Sequence, residues 1–250
     1  VELPRTPMVF PEKRKWALKD QEWLGGDTVA ASRWQGTTRS NYESAVGYAS
    51  QVEKVFQKQE AVGQLLVLPE AVARERYGDR LTIASLSALE KGLDAEGDVE
   101  VRVIHDGTNG VRLNNHIKVR DAGISPTASD QKAVMRAQSR RDAPRFGLTV
   151  DAEGAHKTVA VRPEDWPLQA CQVRPGGPVY LNKRGTFGVS SAAYWWGRLA
   201  AAIHRSALAV LGPSLPLWLL LFADDWNAVG EGKDFAKAVL GFVWWLVLLG

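Results

Sequence analysis

The stretch "LPLWLLLFADDWN", residues 215–227, constrains the fold more than any other. Its continuous apolar run reads as a buried strand. The run ends in two adjacent carboxylates, Asp224 and Asp225, whose charges cannot follow it into a core unpaired. A second apolar strand, "RFGLTVD", ends in Asp151, 73 residues before Asp224. Between them lies "SSAAYWWGRLAAAIHRSALAVLG", a long helix with serines near its start and Gly212 at its end. If the two strands are sheet neighbours, their carboxylates emerge at one edge. Carboxylates held close raise each other's pKa unless a cation neutralises them. Hard oxygen ligands with open positions suit Mg²⁺, which keeps waters and takes substrate phosphates. Two ions about 3.5–4 Å apart would activate an attacking oxygen and stabilise a leaving one. For either Asp alone, a strand simply ending at solvent is the commoner explanation. The ordered series favours the metal reading.

Elsewhere the pattern is mixed. Tyr42, Val46, Ala49, Val52, Val55 and Phe56 recur at three and four residues, which predicts an amphipathic helix within 38–64. "RLTIASLSALEK" fits strand or helix. Val99, Val101 and Val103 alternate with charged residues, and "DGTNG" follows as a turn. "DQKAVMRAQSRRDA" reads as a helix with Lys132, Arg136 and Arg140 on one face. That stripe, with Arg141 and Arg145, fits template phosphates, although a solvated helix face is the commoner case. "AHKTVAVRP" reads as a strand, Pro-Gly-Gly-Pro at 175–178 as a tight loop, and "KDFAKAVLGFVWWLVLL" as a final helix. The pairs Trp195–Trp196 and Trp244–Trp245 read as core.

Composition excludes little. A net charge of +3 permits a polyanionic partner without requiring one. The single cysteine, Cys171, forms no intrachain disulfide and suits a reducing compartment. An intracellular location, cytoplasmic or nuclear, is therefore expected. The last apolar run, Ala238 to Gly250, has 13 residues, short of the ~20 that cross a bilayer, so no membrane partner is expected. The chain opens on "VELPRTP" without an initiator Met and closes inside an apolar run, which reads as a piece of something longer. The histidines show no zinc spacing. "AVGEGKDF" is rejected as a phosphate loop, since Asn227 and Asp234 stand where Gly and Ser or Thr belong.

The motifs together resemble those of a reverse transcriptase of retroelement type, over roughly residues 60–250. "FGLTVDAEGAHKTVAVRPED" resembles the family's first palm motif, "RGTFGVSSAAYWWGRL" the second, and "LLFADD" the aromatic-x-Asp-Asp motif with Phe222 for Tyr. "VRVIHDGTNGVRLN" is similar to the fingers motif through Arg102, Asp106 and Asn114. The resemblance implies an α+β fold: a polymerase-like palm with antiparallel sheet and helices, plus a fingers subdomain. It places an arm or linker at 1–35, fingers at 36–145 and palm at 146–250.

The implied activity is RNA-directed DNA synthesis by two Mg²⁺ ions, with Mn²⁺ as substitute. Asp151, Asp224 and Asp225 would be the catalytic metal ligands. Arg102 would contact the triphosphate, and His156, Phe187 and Gly188 would shape the nucleotide pocket. Partners would be an RNA or DNA template with primer and deoxynucleoside triphosphates. A thumb, with RNase H or integrase regions, would lie beyond the C-terminal end. The chain departs from the family at His156, where Tyr or Phe gates against ribose. It also has Thr108 in place of an Arg, and the acidic "GLDAEGDVE" where a phosphate-binding Lys often stands. Two alternatives stay open: an RNA-directed RNA polymerase, and a decayed, non-catalytic remnant that binds nucleic acid.

Overall fold

The computed structural model describes residues 38–117, 123–137, 144–212 and 217–249. The expected arm at 1–35, and Arg140 and Arg141 of the basic stripe, lie outside them. The chain divides into two compact units, one of residues 1–122 and 156–195, the other of 123–155 and 196–250. This division differs from a single boundary near residue 145. The two strands that follow residue 156, at 170–172 and 179–182, join the first unit's sheet, and the strand before it, 145–151, pairs with one near the C-terminal end.

In the first unit, α1 (Glu43–Gly47) and α2 (Ala49–Ala61) replace the single helix expected there. Ala45, Ala49, Val52 and Phe56 form their buried stripe, spaced by three and four residues as one helix face requires. That stripe packs on Leu65, Leu86, Ala88, Val101, Cys171 and Tyr180. The Phe56 and Tyr180 rings lie 4.7 Å apart. The ambiguous "RLTIASLSALEK" is strand: β2 (Ile83–Ala84) and β3 (Leu86–Leu93), the latter antiparallel to β4 (Val99–His105).

A four-stranded sheet has β1 (Leu65–Leu68), β7 (Val179–Asn182), β6 (Ala170–Gln172) and β2 in that order. Its apolar side buries Ile83, Ala170, Val179 and Leu181 with Ala73 of α3 (Glu70–Tyr77). The short helix α4 (Leu113–His116) follows β4.

"AHKTVAVRP" is not a strand. It begins as a 3-10 turn, Ala155–Thr158, and then makes an isolated bridge, Ala160 to Arg184. Val159 and Val161 are buried on either side of exposed Ala160, so the alternation is real. Pro163, lacking an N–H, opens the next 3-10 turn and stops any ladder from extending.

The second unit holds α5 (Ala128–Ala137) and a three-stranded antiparallel sheet. The sheet order is β5 (Arg145–Asp151), β9 (Asp225–Glu231), β8 (Leu217–Phe222). Buried Trp226 and Ala228 alternate along β9 with half-buried neighbours. The last helix, α7 (Lys233–Leu249), packs on β8 and β9. Phe242 lies 6.3 Å from Trp226, and Phe235 stacks on Phe146 at 5.9 Å.

The helix α6 (Ser190–Leu211) runs from the first unit into the second. It ends at Gly212, whose φ of +80° and N–H bond to the Leu208 carbonyl make a left-handed stop. No helix among the described residues is long and apolar enough to cross a membrane.

Candidate active site

Two of the acids are paired by backbone register. Asp151, the last residue of β5, stands directly opposite Asp225, the first of β9. Phe222 of β8 faces Asp225 from the other side. Opposed residues of an antiparallel pair share a sheet face, so Phe222, Asp225 and Asp151 form one row. Asp224 sits in the two-residue turn between β8 and β9, and its carbonyl accepts the Ala152 N–H at 3.0 Å.

This corrects two expectations. The strands of Asp151 and Asp224 are not sheet neighbours, because β9 folds back between them and takes the central place. Nor is β8 a buried strand: only Leu219 is buried, while Trp218 and Phe222 are 48% and 52% exposed. Trp218 and Phe222 share the carboxylate face, whereas α7 covers the opposite one. Likewise Trp196 is buried but Trp244 is 64% exposed, so the tryptophan pairs are not uniformly core.

The hairpin turn is tight. Ala223 has a φ of +53°, the left-handed region that this first turn position normally gives to Gly. The Trp196 indole N–H donates to the Ala223 carbonyl at 3.1 Å. Trp196 is itself set edge-on to Trp226, with ring centroids 6.1 Å apart.

Like charges placed directly opposite destabilise a strand pair. A pair of hard carboxylates suits Mg²⁺, which commonly takes one or two protein carboxylates and completes its shell with water and phosphate. The structure stops at that pair. Among the described residues, no three His, Cys, Asp or Glu side chains group closely enough to hold a metal ion.

The residues expected at the nucleotide form a separate cluster, within the first unit. Arg102 projects from β4 and its guanidinium lies 5.5 Å from the Phe187 ring centroid. The half-buried His156 ring meets the same Phe187 at 4.6 Å, tilted by 59°. Gly188 follows with a φ of +94°. A Cβ there would lie 1.6 Å from the His105 carbonyl oxygen, so only Gly fits. The His105 N–H in turn donates to the Phe187 carbonyl.

Asn114 fastens this loop. Its Nδ2 donates to the Gly188 carbonyl at 2.6 Å, and its Oδ1 accepts the Ser190 N–H at 2.8 Å. The first free N–H of α6 is thus capped by a distant Asn, where a local serine was expected. Asp106 accepts the N–H groups of Thr108 and Asn109, and the Tyr42 hydroxyl. Burial pushes the Asp106 carboxyl up, but those hydrogen bonds outweigh it and hold the carboxyl below its ordinary range. Tyr42, Ser44, Asp106, Thr108 and Gly188 line a cleft of ≈ 400 Å³. Sequence reasoning missed Tyr42; nothing local marks a residue whose partner lies 64 positions away.

His105 is fully buried, and among the described residues neither ring nitrogen has a hydrogen-bond partner. Burial, with the nearby Lys157 charge, draws its pKa from 6.5 down to about 4, so the ring stays neutral. Of the basic stripe, Lys132 and Arg136 are exposed on α5, and Arg145 faces Glu231 at 3.7 Å.

No protein-family model and no curated protein matches the sequence. Among solved structures, a foamy viral protease–reverse transcriptase in complex with double-stranded DNA is similar over 86% of this chain, with a TM-score of 0.56 and 10% identity. This chain spans 31% of that one's length. The likeness is one of fold, and with the antiparallel sheets and helices above it gives the chain an α+β, polymerase-like fold similar to that of a reverse transcriptase.

Proposed function

We propose that this chain is the fingers and palm portion, 36–145 and 146–250, of a retroelement-type reverse transcriptase that carries out nucleotidyl transfer. The observation behind this reading is the register that sets Asp151 opposite Asp225 with Asp224 in the adjoining turn. It occurs on a fold similar to a reverse transcriptase.

In this reading Asp151, Asp224 and Asp225 hold Mg²⁺, or Mn²⁺ in its place. The bound ions would neutralise charge on the attacking and leaving oxygens of an in-line displacement. Arg102 binds the triphosphate of a deoxynucleotide, its guanidinium braced on Phe187. His156 occupies the volume a ribose 2′ hydroxyl needs, and Gly188 shapes the nucleotide pocket by letting its loop close on the His105 carbonyl. A primer on an RNA or DNA template supplies the attacking 3′ hydroxyl, and a thumb beyond residue 250 would complete the grip on the duplex.

Primer extension on the chain extended past residue 250 tests this. Asp224→Asn is expected to abolish incorporation while the circular dichroism spectrum is kept; activity within a few-fold of wild type would remove Asp224 from the site. One observation favours a second reading, a remnant that binds nucleic acid without synthesis: the lack of a three-ligand group among the described residues. Template binding with no incorporation by the extended wild type would support it.

A further inference from the structure

Lys157 stands beside the nucleotide-side cluster in sequence yet points to a different partner. It follows His156 inside the 3-10 turn Ala155–Thr158. Its Nζ donates to Asn182 Oδ1 at 2.8 Å. Asn182 is buried at the end of β7, a strand paired on both sides. The Asn182 amide donates to the Gln169 carbonyl at 3.0 Å, and Gln169 Nε2 donates back to the Asn182 carbonyl at 2.6 Å. Lys157 is therefore tied to an internally bonded part of the first unit.

The backbone is gripped as well. Gly185 lies so near His156 that a Cβ would sit 2.6 Å from the His156 carbonyl oxygen. The Gly185 N–H donates to the Val159 carbonyl at 2.9 Å. With the turn gripped at 157 and at the 156 carbonyl, the His156 ring is directed onto Phe187.

A lysine is a costly residue for this place. The residue is half-buried, and the lost hydration of its ammonium draws its pKa from 10.5 down to about 8. Filling space alone would favour an apolar side chain of similar length, with no charge to desolvate. What an ammonium adds is a directional bond to one acceptor.

We propose that Lys157 is a positioning residue that fixes His156 against Phe187 through its bond to Asn182. Combined with the polymerase reading above, on which this consequence rests, Lys157 sets how strictly the site excludes a ribose.

The test uses the chain extended past residue 250, carrying ¹³C-labelled histidine; residues 1–250 contribute four ring signals, and the one lost in His156→Gln assigns His156. Lys157→Met, Lys157→Arg and Lys157→Cys are compared, the last before and after aminoethylation with bromoethylamine, which rebuilds a lysine-like amine. In Lys157→Met the His156 ring signal is expected to lose its Phe187 ring-current shift. Ribonucleotide incorporation relative to deoxynucleotide should rise about tenfold. Lys157→Arg and the aminoethylated cysteine should restore both.

Wild-type signal and selectivity in Lys157→Met would overturn the proposal. So would equal disturbance in the Met and Arg variants together with no recovery on aminoethylation, since that marks a packing defect. Should Lys157→Met not fold, the cysteine variant with and without the added amine gives the same decision. Should the wild type not extend a primer, the polymerase reading fails by itself. The His156 signal, lost in Met and restored by the amine or unchanged throughout, still decides the role of Lys157.

Discussion

Around Phe187 the side chains touch: a guanidinium and an imidazole share one ring, Asn114 bonds both backbone neighbours of Val189, and Gly188 presses on His105. At the β8–β9 turn the carboxylates are placed by strand register, with their charges opposed. The first cluster is organised as it stands, and its geometry is paid for by burial and close packing. The second sets two acids opposite each other with a third in the adjoining turn, without assembling a three-ligand group among the described residues. Preorganisation thus differs between the two, and substitutions should hurt them differently.

The largest effect belongs to the packed cluster. Gly188→Ala forces a Cβ into the His105 carbonyl at a φ that side chains rarely adopt, and should cost more than about 3 kcal/mol. Urea unfolding of the variant measures it; a midpoint unchanged from wild type would mean the loop yields and the cluster is not rigid.

Next comes His105. Its folded pKa of about 4 lies below the ordinary 6.5, so the unfolded state binds more protons between those values. The stability this neutral ring contributes is present above pH 6.5 and lost as pH falls toward 4. The shift corresponds to roughly 3 kcal/mol. His105→Leu should flatten that part of the pH–stability curve, and an equal slope in both proteins would break the argument.

In the hairpin the effects are smaller and of opposite sign. Ala223→Gly removes left-handed strain, offset in part by the freedom Gly gains when unfolded, for a net stabilisation of about 0.5 to 1 kcal/mol. Asp225→Asn removes one of two opposed charges and should stabilise by roughly 0.5 kcal/mol; under the proposed polymerase function the same variant is expected to lose nucleotide incorporation. Thermal melts at low salt resolve both, and a destabilised Asp225→Asn would show that the carboxylate already has a structural partner.

Legibility followed the same divide. β4 and β5 announced themselves by alternation or by a bounded apolar run, and α6 and α7 by length. β1, β6 and β7 did not: "LLVL", "ACQ" and "VYLN" are short and mostly buried, so no alternation marks them. Phe187 and His156 were nameable only through a motif resemblance, since their contact spans distant positions. The Asp151–Asp225 register was hidden for a different reason. Reading "DWNAVGE" as a strand requires seeing Trp226 and Ala228 as one face, and the turn before it offers Ala223 where a hairpin signal would show Gly.

That turn has an optical consequence. The Trp196 indole is bonded to the Ala223 carbonyl and stands edge-on to Trp226, so two chromophores are fixed relative to the residue preceding Asp224. Movement of the turn, whether on adding Mg²⁺ or on acidification, alters the coupling between them and the near-ultraviolet circular dichroism it produces. Subtracting the spectrum of Trp196→Phe isolates this pair from the other tryptophans. The segment that carries the acids is wired to its own label-free spectroscopic signal, readable in the absence of nucleotide or template.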